Sequence, residues 1–213
     1  MKRLKILLKN ELSFNAFIIF SKTIFQQFTG RFYARLLGWN GGYLGYHSKV
    51  IGSNAIRVGA NSYIHRLAWI EAVHNFRGQV FSPKIYIGNS FSASESLHIS
   101  CINRVEIGDG CLFGSGVYIS DHNHGNYNGS NQSTPFEMPV DRALFSTGPV
   151  VIGSNVWLGD NVVIVGPVRI GDGAVIGANS VIKKDIPCNV IAAGAPIRIL
   201  KKFNPASGRW EKI

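Results

Sequence analysis

The chain has 213 residues, of which only 16% are charged, and it contains 24 glycines. This length is enough for one well-filled hydrophobic core. Low charge combined with many Gly, Ile and Val residues favours short strands joined by tight turns, and it argues against a helical bundle. The three cysteines show no CxxC or other metal-ligand spacing.

The net charge of +10 is concentrated at the two ends of the chain. Residues 1–35 carry seven Lys/Arg against one acidic residue, and residues 183–213 carry seven against two. A nucleic-acid-binding domain more often spreads its basic groups along one face with exposed aromatic residues between them, so we expect no nucleic-acid partner. Two basic ends predict two separate anionic contacts, and simple solubility is the alternative.

The N-terminal segment, residues 1–45, is predicted to be amphipathic and helical. Its start has no secretory signal pattern, because charges interrupt the apolar run, and polar residues break the stretch "FNAFIIFSKTIFQQF" too often for a membrane span. Phenylalanines and isoleucines recur there near helical spacing. The helix can pack on the rest of the protein, or residues 1–35 can make a peripheral contact with an anionic membrane. We expect a cytoplasmic protein, with that contact at the inner face of the membrane.

A six-residue repeat dominates the C-terminal half. From Ile152 the chain divides without a gap into the hexads IGSNVW, LGDNVV, IVGPVR, IGDGAV, IGANSV and IKKDIP. The first position is always Ile or Leu, and the fifth is small or aliphatic. Both positions can point inward, so three hexads form one triangular coil, and stacked coils bury a continuous apolar column. Gly, Asn and Asp at positions two to four permit the positive φ that a sharp corner needs.

The repeat continues upstream with less regularity. Hexads begin at Ile107 and Phe113, and two extra residues intervene before Ile107. An approximate hexad from Ile51 indicates an earlier coil with Ile51 at an inward position. Between Ile119 and Ile152 the repeat stops for 33 residues.

This pattern predicts the organisation of the chain. We expect a solenoid over residues 46–187, with an extruded loop inserted at 120–149. A basic C-terminal segment, residues 188–213, follows it. A loop ejected from a regular solenoid lies on the surface, where functional sites concentrate.

The run "GPVVIGSNVWLGDNVVI", followed by "IGDGAVIGANSVIKKDIPCNVIAAGAPIRILKK", resembles the hexapeptide-repeat acyltransferases. The resemblance is to the maltose, galactoside and polysaccharide O-acetyltransferase branch, and it covers roughly residues 46–200. It implies an all-β, left-handed parallel β-helix assembled as a homotrimer. The hand comes from the resemblance, because left-handed crossovers depart from the usual rule.

In that branch a loop leaves one coil, helps to roof the cleft between subunits and holds a catalytic histidine at its base. Aligned through the flanking hexads, this histidine falls on His122 in "YISDHNHGNYNG". An imidazole that titrates near neutrality suits a general base for acyl transfer to a hydroxyl. A second group should orient its ring, and Asp121, Glu137 and a backbone carbonyl are all candidates.

The implied acyl donor is acetyl-CoA, whose phosphates can meet the basic C-terminal end. By resemblance, Asp160 and Ala178 correspond to positions that line the pantetheine arm. The resemblance assigns four basic side chains to the nucleotide end: Lys183, Lys184, Arg198 and Lys201.

The acceptor site is less defined than the donor site. Ser96 falls where the sugar acetyltransferases have a polar acceptor-binding residue. Asp121 and His124 are further candidates for substrate contact, and His124 can instead hold the loop. The basic, Phe-rich N-terminal segment departs from the maltose and galactoside enzymes, and it suits acetyltransferases of polysaccharides and lipid-linked glycans.

A metal site is an alternative to this interpretation, because gamma-class carbonic anhydrases share the fold that the resemblance implies. That family uses three histidines, including a pair five residues apart. Here His122 and His124 are two apart, and the nearest third is His98. We therefore expect no metal.

The combined expectation is an O-acetyltransferase that moves acetyl from acetyl-CoA to a hydroxyl of a cell-envelope saccharide. Two alternatives remain open at this point. One is N-acetylation of an amino sugar or another small acceptor. The other is a non-catalytic β-helix that binds a partner or a membrane through its ends.

Overall fold

A computed structural model describes residues 13–213 of the chain. It begins with one helix, α1 (Ser13–Leu36), and a short 3₁₀ turn at Ser53–Ala55. The strands in chain order are β1 (Tyr43–Leu44), β2 (Lys49–Ile51), β3 (Ile56–Val58), β4 (Tyr63–Ile64), β5 (Trp69–Ala72), β6 (Asn75–Phe76), β7 (Gln79–Val80), β8 (Lys84–Ile87), β9 (Ser92–Ala93), β10 (His98–Cys101), β11 (Arg104–Ile107), β12 (Leu112–Phe113), β13 (Tyr118–Ser120), β14 (Asn123–His124), β15 (Leu144–Phe145), β16 (Val150–Ile152), β17 (Trp157–Leu158), β18 (Val163–Val165), β19 (Val168–Ile170), β20 (Val175–Ile176), β21 (Val181–Ile182), β22 (Val190–Ala193), β23 (Arg198–Asn204) and β24 (Arg209–Lys212).

Three parallel sheets form the walls of a triangular prism. Sheet A stacks β1, β4, β9, β12, β17, β20 and β22, and β23 and β24 extend it in antiparallel fashion. Sheet B stacks β2, β5, β10, β13, β18 and β21, and sheet C stacks β3, β8, β11, β16 and β19. Each coil passes through A, B and C in turn, so its corners are called AB, BC and CA. The expected left-handed parallel β-helix with an N-terminal helix is confirmed.

The hexads predict the core because their first positions stack in register between coils. Along sheet B the paired residues Ile70, Ile99, Ile119, Ile164 and Ile182 are all completely buried. Each coil therefore adds one layer of branched aliphatic side chains to a single continuous column. Burying a side chain of this kind contributes about 1.5–3 kcal/mol relative to leaving it in water.

Two hexad positions have different roles in the corners: one adopts a positive φ, and the other allows close contact between coils. At corners AB and CA the fourth position has the left-handed conformation, as at Asn155, Asn161 and Asn179 with φ of 56–57°. Gly159, at the second position, does not have a positive φ. Glycine is needed there because the next coil approaches closely. A Cβ on Gly159 would lie 2.6 Å from the backbone nitrogen of Ala178 on the next coil. Only one of the three candidate corner positions therefore needs positive φ.

Two features at the N-terminal end differ from the sequence-based expectation. Ile51, expected to point inward, is 45% exposed, because Val50 is the residue that pairs with the inward-facing Ile70, and Ile51 pairs with Glu71. In addition, residues 73–83 leave the second coil between β5 and β8 and form the antiparallel hairpin β6–β7. The sequence reading missed this hairpin, which emerges from the same corner, BC, as the loop over residues 121–149.

Helix α1 covers the N-terminal end of the prism with its small residues. Gly30 and Ala34 are buried, and a Cβ on Gly30 would overlap the ring of Tyr43. The large side chains Phe25 and Phe28, expected on the helix's apolar face, are exposed. Of the two alternatives left open for this face, packing on the rest of the same chain therefore does not hold for these two residues. Residues 1–12 of the predicted basic segment lie outside the described part of the chain.

The division of roles at the corners can be tested with two substitutions in one turn. Gly159→Ala should lower the free energy of unfolding by about 1–3 kcal/mol, because its methyl group has no room beside the next coil. Asn161→Gly, at the left-handed position, should change it by less than about 1 kcal/mol, because glycine adopts this φ without strain. Denaturant unfolding measures both, and equal stability of Gly159→Ala and the unmodified protein would contradict the steric argument.

Candidate active site at the corner between sheets B and C

The Asp121 carboxylate is the centre of the site, and it is completely buried where β13 ends. The corner of the coil before it turns three consecutive N–H groups toward this carboxylate. The N–H groups of Ile102, Asn103 and Arg104 donate to its oxygens over 3.0, 2.8 and 2.8 Å. The two extra residues that interrupt the hexad spacing before Ile107 fall in this corner. They therefore supply an anion cradle for the next coil.

Two side chains complete the set of donors to Asp121. Nδ1 of His122 lies 2.9 Å from Oδ1, and the Cys101 thiol donates to Oδ2 over 3.2 Å. Burial alone would raise the pKa of Asp121, but these hydrogen bonds and those from the backbone hold the pKa below its ordinary value of 3.8. Burial, followed by the nearby carboxylate, raises the pKa of the Cys101 thiol. Cys101 therefore stays protonated and serves as a donor.

Burial settles which of its two expected roles Asp121 can fill. With both oxygens engaged and no exposed surface, the carboxylate does not reach a substrate. The expectation that Asp121 contacts substrate is therefore corrected, because this side chain faces the core and orients the neighbouring ring. Glu137, the other carboxylate considered for orienting that ring, has no hydrogen bond to His122.

The His122 ring directs Nδ1 inward to Asp121 and leaves Nε2 available to a ligand. Its side chain is 8% exposed. Because an ionised carboxylate can only accept, the contact with Asp121 requires the proton on Nδ1. Among the described residues Nε2 has no hydrogen-bond partner, and it is not among their buried, unpaired polar atoms. In the neutral ring Nε2 is therefore the nitrogen without a proton, and it is the one left available, which is the arrangement that a general base needs.

The hairpin β6–β7 contacts the extruded loop and holds it in place. The Gln79 side chain donates to the carbonyl of Leu144 and accepts from its N–H, so it behaves as an additional strand partner of β15. Arg77 forms an ion pair with Asp141. Both contacts join the first insertion at corner BC to the second one, two coils later.

His124 faces this hairpin. Its ring lies edge-on to Phe76 of the hairpin, with centroids 5.4 Å apart. Its carbonyl accepts a hydrogen bond from the Tyr127 hydroxyl, which in turn accepts one from Arg142. These contacts fit the loop-holding role considered for His124, and its contact with substrate stays a prediction. Among the described residues no three His, Cys, Asp or Glu side chains converge as metal ligands.

Ser96 lies away from His122 within one subunit. It is exposed at corner AB of the third coil, with φ at 61°. His122 follows β13 at corner BC of the fourth coil. The strands of sheet B run from corner AB to corner BC, so the two residues lie at opposite edges of this wall. One subunit therefore does not bring these two predicted site residues together.

The residues predicted for the pantetheine arm, Asp160 and Ala178, are stacked at corner AB of the fifth and sixth coils. The N–H of Asn179 donates to the carbonyl of Asp160 over 2.8 Å, which sets the two corners side by side. Both predicted residues are exposed. The Asp160 carboxylate also accepts a hydrogen bond from the backbone N–H of Ser115. One of its oxygens therefore stabilises corner AB of the preceding coil.

The predicted phosphate-binding residues lie near a pocket at the C-terminal edge of sheet B. Lys183 and Lys184 follow β21 at corner BC, two coils beyond His122. Arg198 is the first residue of β23 and directly follows Ile197, which lines the pocket. Lys201 lies further along that strand. The pocket, of about 390 Å³, is lined by Val181, Lys183, Lys184, Ala195, Pro196 and Ile197. Its apolar floor and its two ammonium groups can hold a ligand with an aliphatic arm and phosphates.

Comparison with known proteins bears on this arrangement. The family model for the bacterial transferase hexapeptide (six repeats) matches residues 149–184, and the hexapeptide repeat of succinyl-transferase matches residues 104–120. A putative lipopolysaccharide biosynthesis O-acetyl transferase, WbbJ of Escherichia coli, is 40% identical over 128 residues, which are 60% of this chain and 65% of that protein. The chain therefore contains the hexapeptide repeats of these transferase models, and over 60% of its length it is similar to that O-acetyl transferase.

Other similar proteins extend the comparison. The galactoside O-acetyltransferase of Escherichia coli is 38% identical over 142 residues, which are 64% of this chain and 62% of that protein. The alignments thus span less than two thirds of these relatives. Among solved structures, the N-acyltransferase AntD of Bacillus cereus, in complex with dTDP and 3-hydroxybutyryl-CoA, superposes with a TM-score of 0.63 at 17% identity. That superposition covers 79% of this chain and 84% of AntD, and it shows a shared fold.

The buried carboxylate makes a specific prediction about stability and pH. Asp121→Asn should lower the free energy of unfolding by about 2–4 kcal/mol, because its amide group turns a donor toward N–H donors in a buried site. The lowered pKa of Asp121 means that its stabilisation is complete above the ordinary aspartate pKa of 3.8 and is lost as pH falls through the folded-state value.

Unfolding measured in denaturant at a series of pH values tests both parts. The stability difference between the two proteins should be constant near neutrality and should shrink below about pH 4. The exposed substitution Asp160→Asn is the matched control, and its effect should be under about 1 kcal/mol. A difference for Asp121→Asn that persists unchanged in acid would contradict the assignment of an ionised, anchored carboxylate.

Proposed function

We propose that the chain is an O-acetyltransferase that moves acetyl from acetyl-CoA to a hydroxyl of a cell-envelope saccharide, with His122 as general base. The observation that carries the proposal is the pair formed by the buried Asp121 carboxylate and His122 Nδ1, at 2.9 Å, which leaves Nε2 free. Relatives described as O-acetyltransferases of lipopolysaccharide biosynthesis and of galactosides support the reaction class.

The chemistry requires one proton to move twice. Nε2 of His122 takes the proton of the acceptor hydroxyl as that oxygen attacks the thioester carbonyl, and the C–O bond forms. The C–S bond then breaks, and the same nitrogen gives its proton to the departing thiolate. During the step the ring carries a positive charge, which the adjacent Asp121 carboxylate stabilises without itself being protonated.

The donor is proposed to lie along the C-terminal half of the prism. Lys183 and Lys184, with Arg198 and Lys201, supply positive charge for its phosphates. Asp160 and Ala178 lie on the exposed AB corners, and the small side chain of Ala178 leaves room for the pantetheine arm. Solved structures of the same fold contain coenzyme A or an acyl-CoA, which supports a CoA-type donor.

A homotrimer is proposed as the functional unit. Ser96 and His122 lie at opposite ends of sheet B, so a site that uses both needs two copies of the chain. The apolar tip of the extruded loop is exposed, with Phe136 at 95%, and it would cover a neighbouring subunit. Ser96 is proposed to contact the acceptor, and His124 either contacts it or holds the loop.

Both the aligned relatives and the superposed structures support a saccharide acceptor, but the two groups differ in whether an oxygen or a nitrogen is acylated. The aligned relatives are described as O-acetyltransferases. The superposed structures are N-acyltransferases, including a perosamine N-acetyltransferase of Caulobacter crescentus with CoA and GDP-perosamine at a TM-score of 0.50 and 19% identity. The higher sequence identity favours the hydroxyl, and an amino sugar is the second candidate.

The location follows from the substrates proposed. Acetyl-CoA is a cytoplasmic metabolite, so the reaction is proposed to take place on the cytoplasmic side of the cell membrane. None of the helices described over residues 13–213 is both long and apolar enough to pass through a bilayer. Contact of residues 1–35 with the inner membrane face would bring a lipid-linked acceptor within reach.

The proposal is tested by His122→Ala with a panel of acceptors. The variant should fold and bind coenzyme A as before but lose transfer by about 100-fold or more, which is typical for loss of a general base. His124→Ala, two residues away, is the control and should retain transfer within about tenfold. Activity is followed by thiol release with galactosides, an envelope oligosaccharide and amino sugars.

Three outcomes would change the proposal. Near-normal turnover of His122→Ala would remove His122 from the mechanism. Faster turnover with amino sugars than with hydroxyl acceptors would favour N-acetylation. A trimer that does not bind coenzyme A in calorimetry would favour a non-catalytic β-helix.

A further inference from the structure

Helix α1 carries large apolar side chains on the side that faces away from the protein. Its buried side consists of Gly30 and Ala34, four residues apart, and half-turn spacing puts Phe25, Phe28 and Phe32 opposite them. These three phenylalanines are 68, 71 and 57% exposed. Soluble proteins rarely leave a row of aromatic side chains in water without a partner. The distribution is the reverse of the one that a helix packing on its own core shows.

The apolar row is continued by aliphatic side chains along the helix. Ile18, Ile24 and Leu36 are exposed at 44, 50 and 68% and extend it toward both ends. The row therefore runs most of the 24-residue helix, a length of about 36 Å at 1.5 Å per residue. We call these six residues, Ile18, Ile24, Phe25, Phe28, Phe32 and Leu36, the outer face of α1.

Positive charge lies beside this outer face, and α1 contains no acidic residue. Its charged residues are Lys22, Arg31 and Arg35. None of the three side chains makes an ion pair or a hydrogen bond with another described residue. Arg31 and Arg35 line a shallow depression together with Phe28 and Phe32. Apolar side chains beside unpaired cations match a surface that presents acyl chains beneath anionic headgroups.

We propose that the outer face of α1 is a docking surface for an anionic lipid bilayer, on which the helix lies in the plane of the interface. The phenylalanines insert among the acyl chains, and the three cations meet phosphate groups. A second copy of this chain fits less well, because two outer faces in contact would bring Arg31 and Arg35 against the same residues with no acid on either helix. The docking does not depend on the catalytic proposal.

Vesicle co-sedimentation of the full chain tests the docking. The protein should bind vesicles that contain phosphatidylglycerol, and binding to pure phosphatidylcholine vesicles should be weaker by about a hundredfold, because the three cations together contribute about 3 kcal/mol near an anionic surface. Replacing Phe25, Phe28 and Phe32 with Ser should lower the partition coefficient by at least about tenfold. Arg31→Gln with Arg35→Gln should lower it and reduce its dependence on salt.

The matched control replaces two exposed aromatic residues of the prism walls, Tyr86→Ser and Trp157→Ser. This variant should bind vesicles as the unmodified protein does. Because every replaced side chain is exposed, circular dichroism and the thermal midpoint should change little, and transfer to a soluble acceptor should be unaffected. Loss of docking with activity intact therefore separates this inference from the proposed reaction.

Three results would overturn the inference. The unmodified protein could fail to bind anionic vesicles. The triple serine variant could bind them as tightly as the unmodified protein does, which would assign binding to another segment. The triple variant could change the oligomeric mass in light scattering while vesicle binding is absent, which would make the outer face a contact between subunits.

Discussion

The hydrogen bonding of one buried carboxylate connects the repeat, the loop and the candidate catalytic group. Asp121 accepts from three successive backbone N–H groups of the preceding coil and from His122. A charge without these donors would cost several kcal/mol in the core, so the carboxylate must lie in this cradle. Its position in turn sets the His122 ring, since the two residues are adjacent in the chain.

The regular prism supplies the rigidity on which this arrangement depends. The coils before and after the site are held in register by parallel pairing, with Ile99, Ile119 and Ile164 stacked in the core. The two insertions at corner BC interrupt the repeat only outside these walls. A loop of nearly thirty residues would otherwise be free to move, and the β6–β7 hairpin restrains it through Gln79 and Leu144.

The sequence predicted the repeating core, the helix and the position of the extruded loop, because a six-residue period leaves a strong pattern of inward residues. It also singled out His122 as a general base through its position after Ile119, and that role stays a prediction. It did not predict the cradle, since backbone N–H groups carry no residue signature. The only available sign was the pair of extra residues before Ile107. The hairpin over residues 73–83 was missed because the repeat upstream of Ile87 is too irregular to reveal an interruption.

The N-terminal helix shows a different limit of sequence analysis. A period of phenylalanines predicts an apolar face, but it does not indicate whether that face turns toward the core or away from it. In the structure the side with Gly30 and Ala34 is the buried one, because Gly30 has no side chain to collide with Tyr43 and the small Ala34 lies beside Gly42, and the phenylalanines are left outside. Small residues can thus form the packed side of a helix that has larger apolar residues elsewhere.

Nitrogen NMR of the imidazole rings tests the central claim most directly, because the claim concerns which nitrogen of His122 carries the proton. In ¹⁵N-labelled protein at a pH where the ring is neutral, Nδ1 should show an attached proton and Nε2 should have the shift of an unprotonated nitrogen. The assignment follows from the signals that disappear in His122→Ala. A neutral His122 ring protonated at Nε2 would contradict the account, because the carboxylate would then not orient a base toward the acceptor.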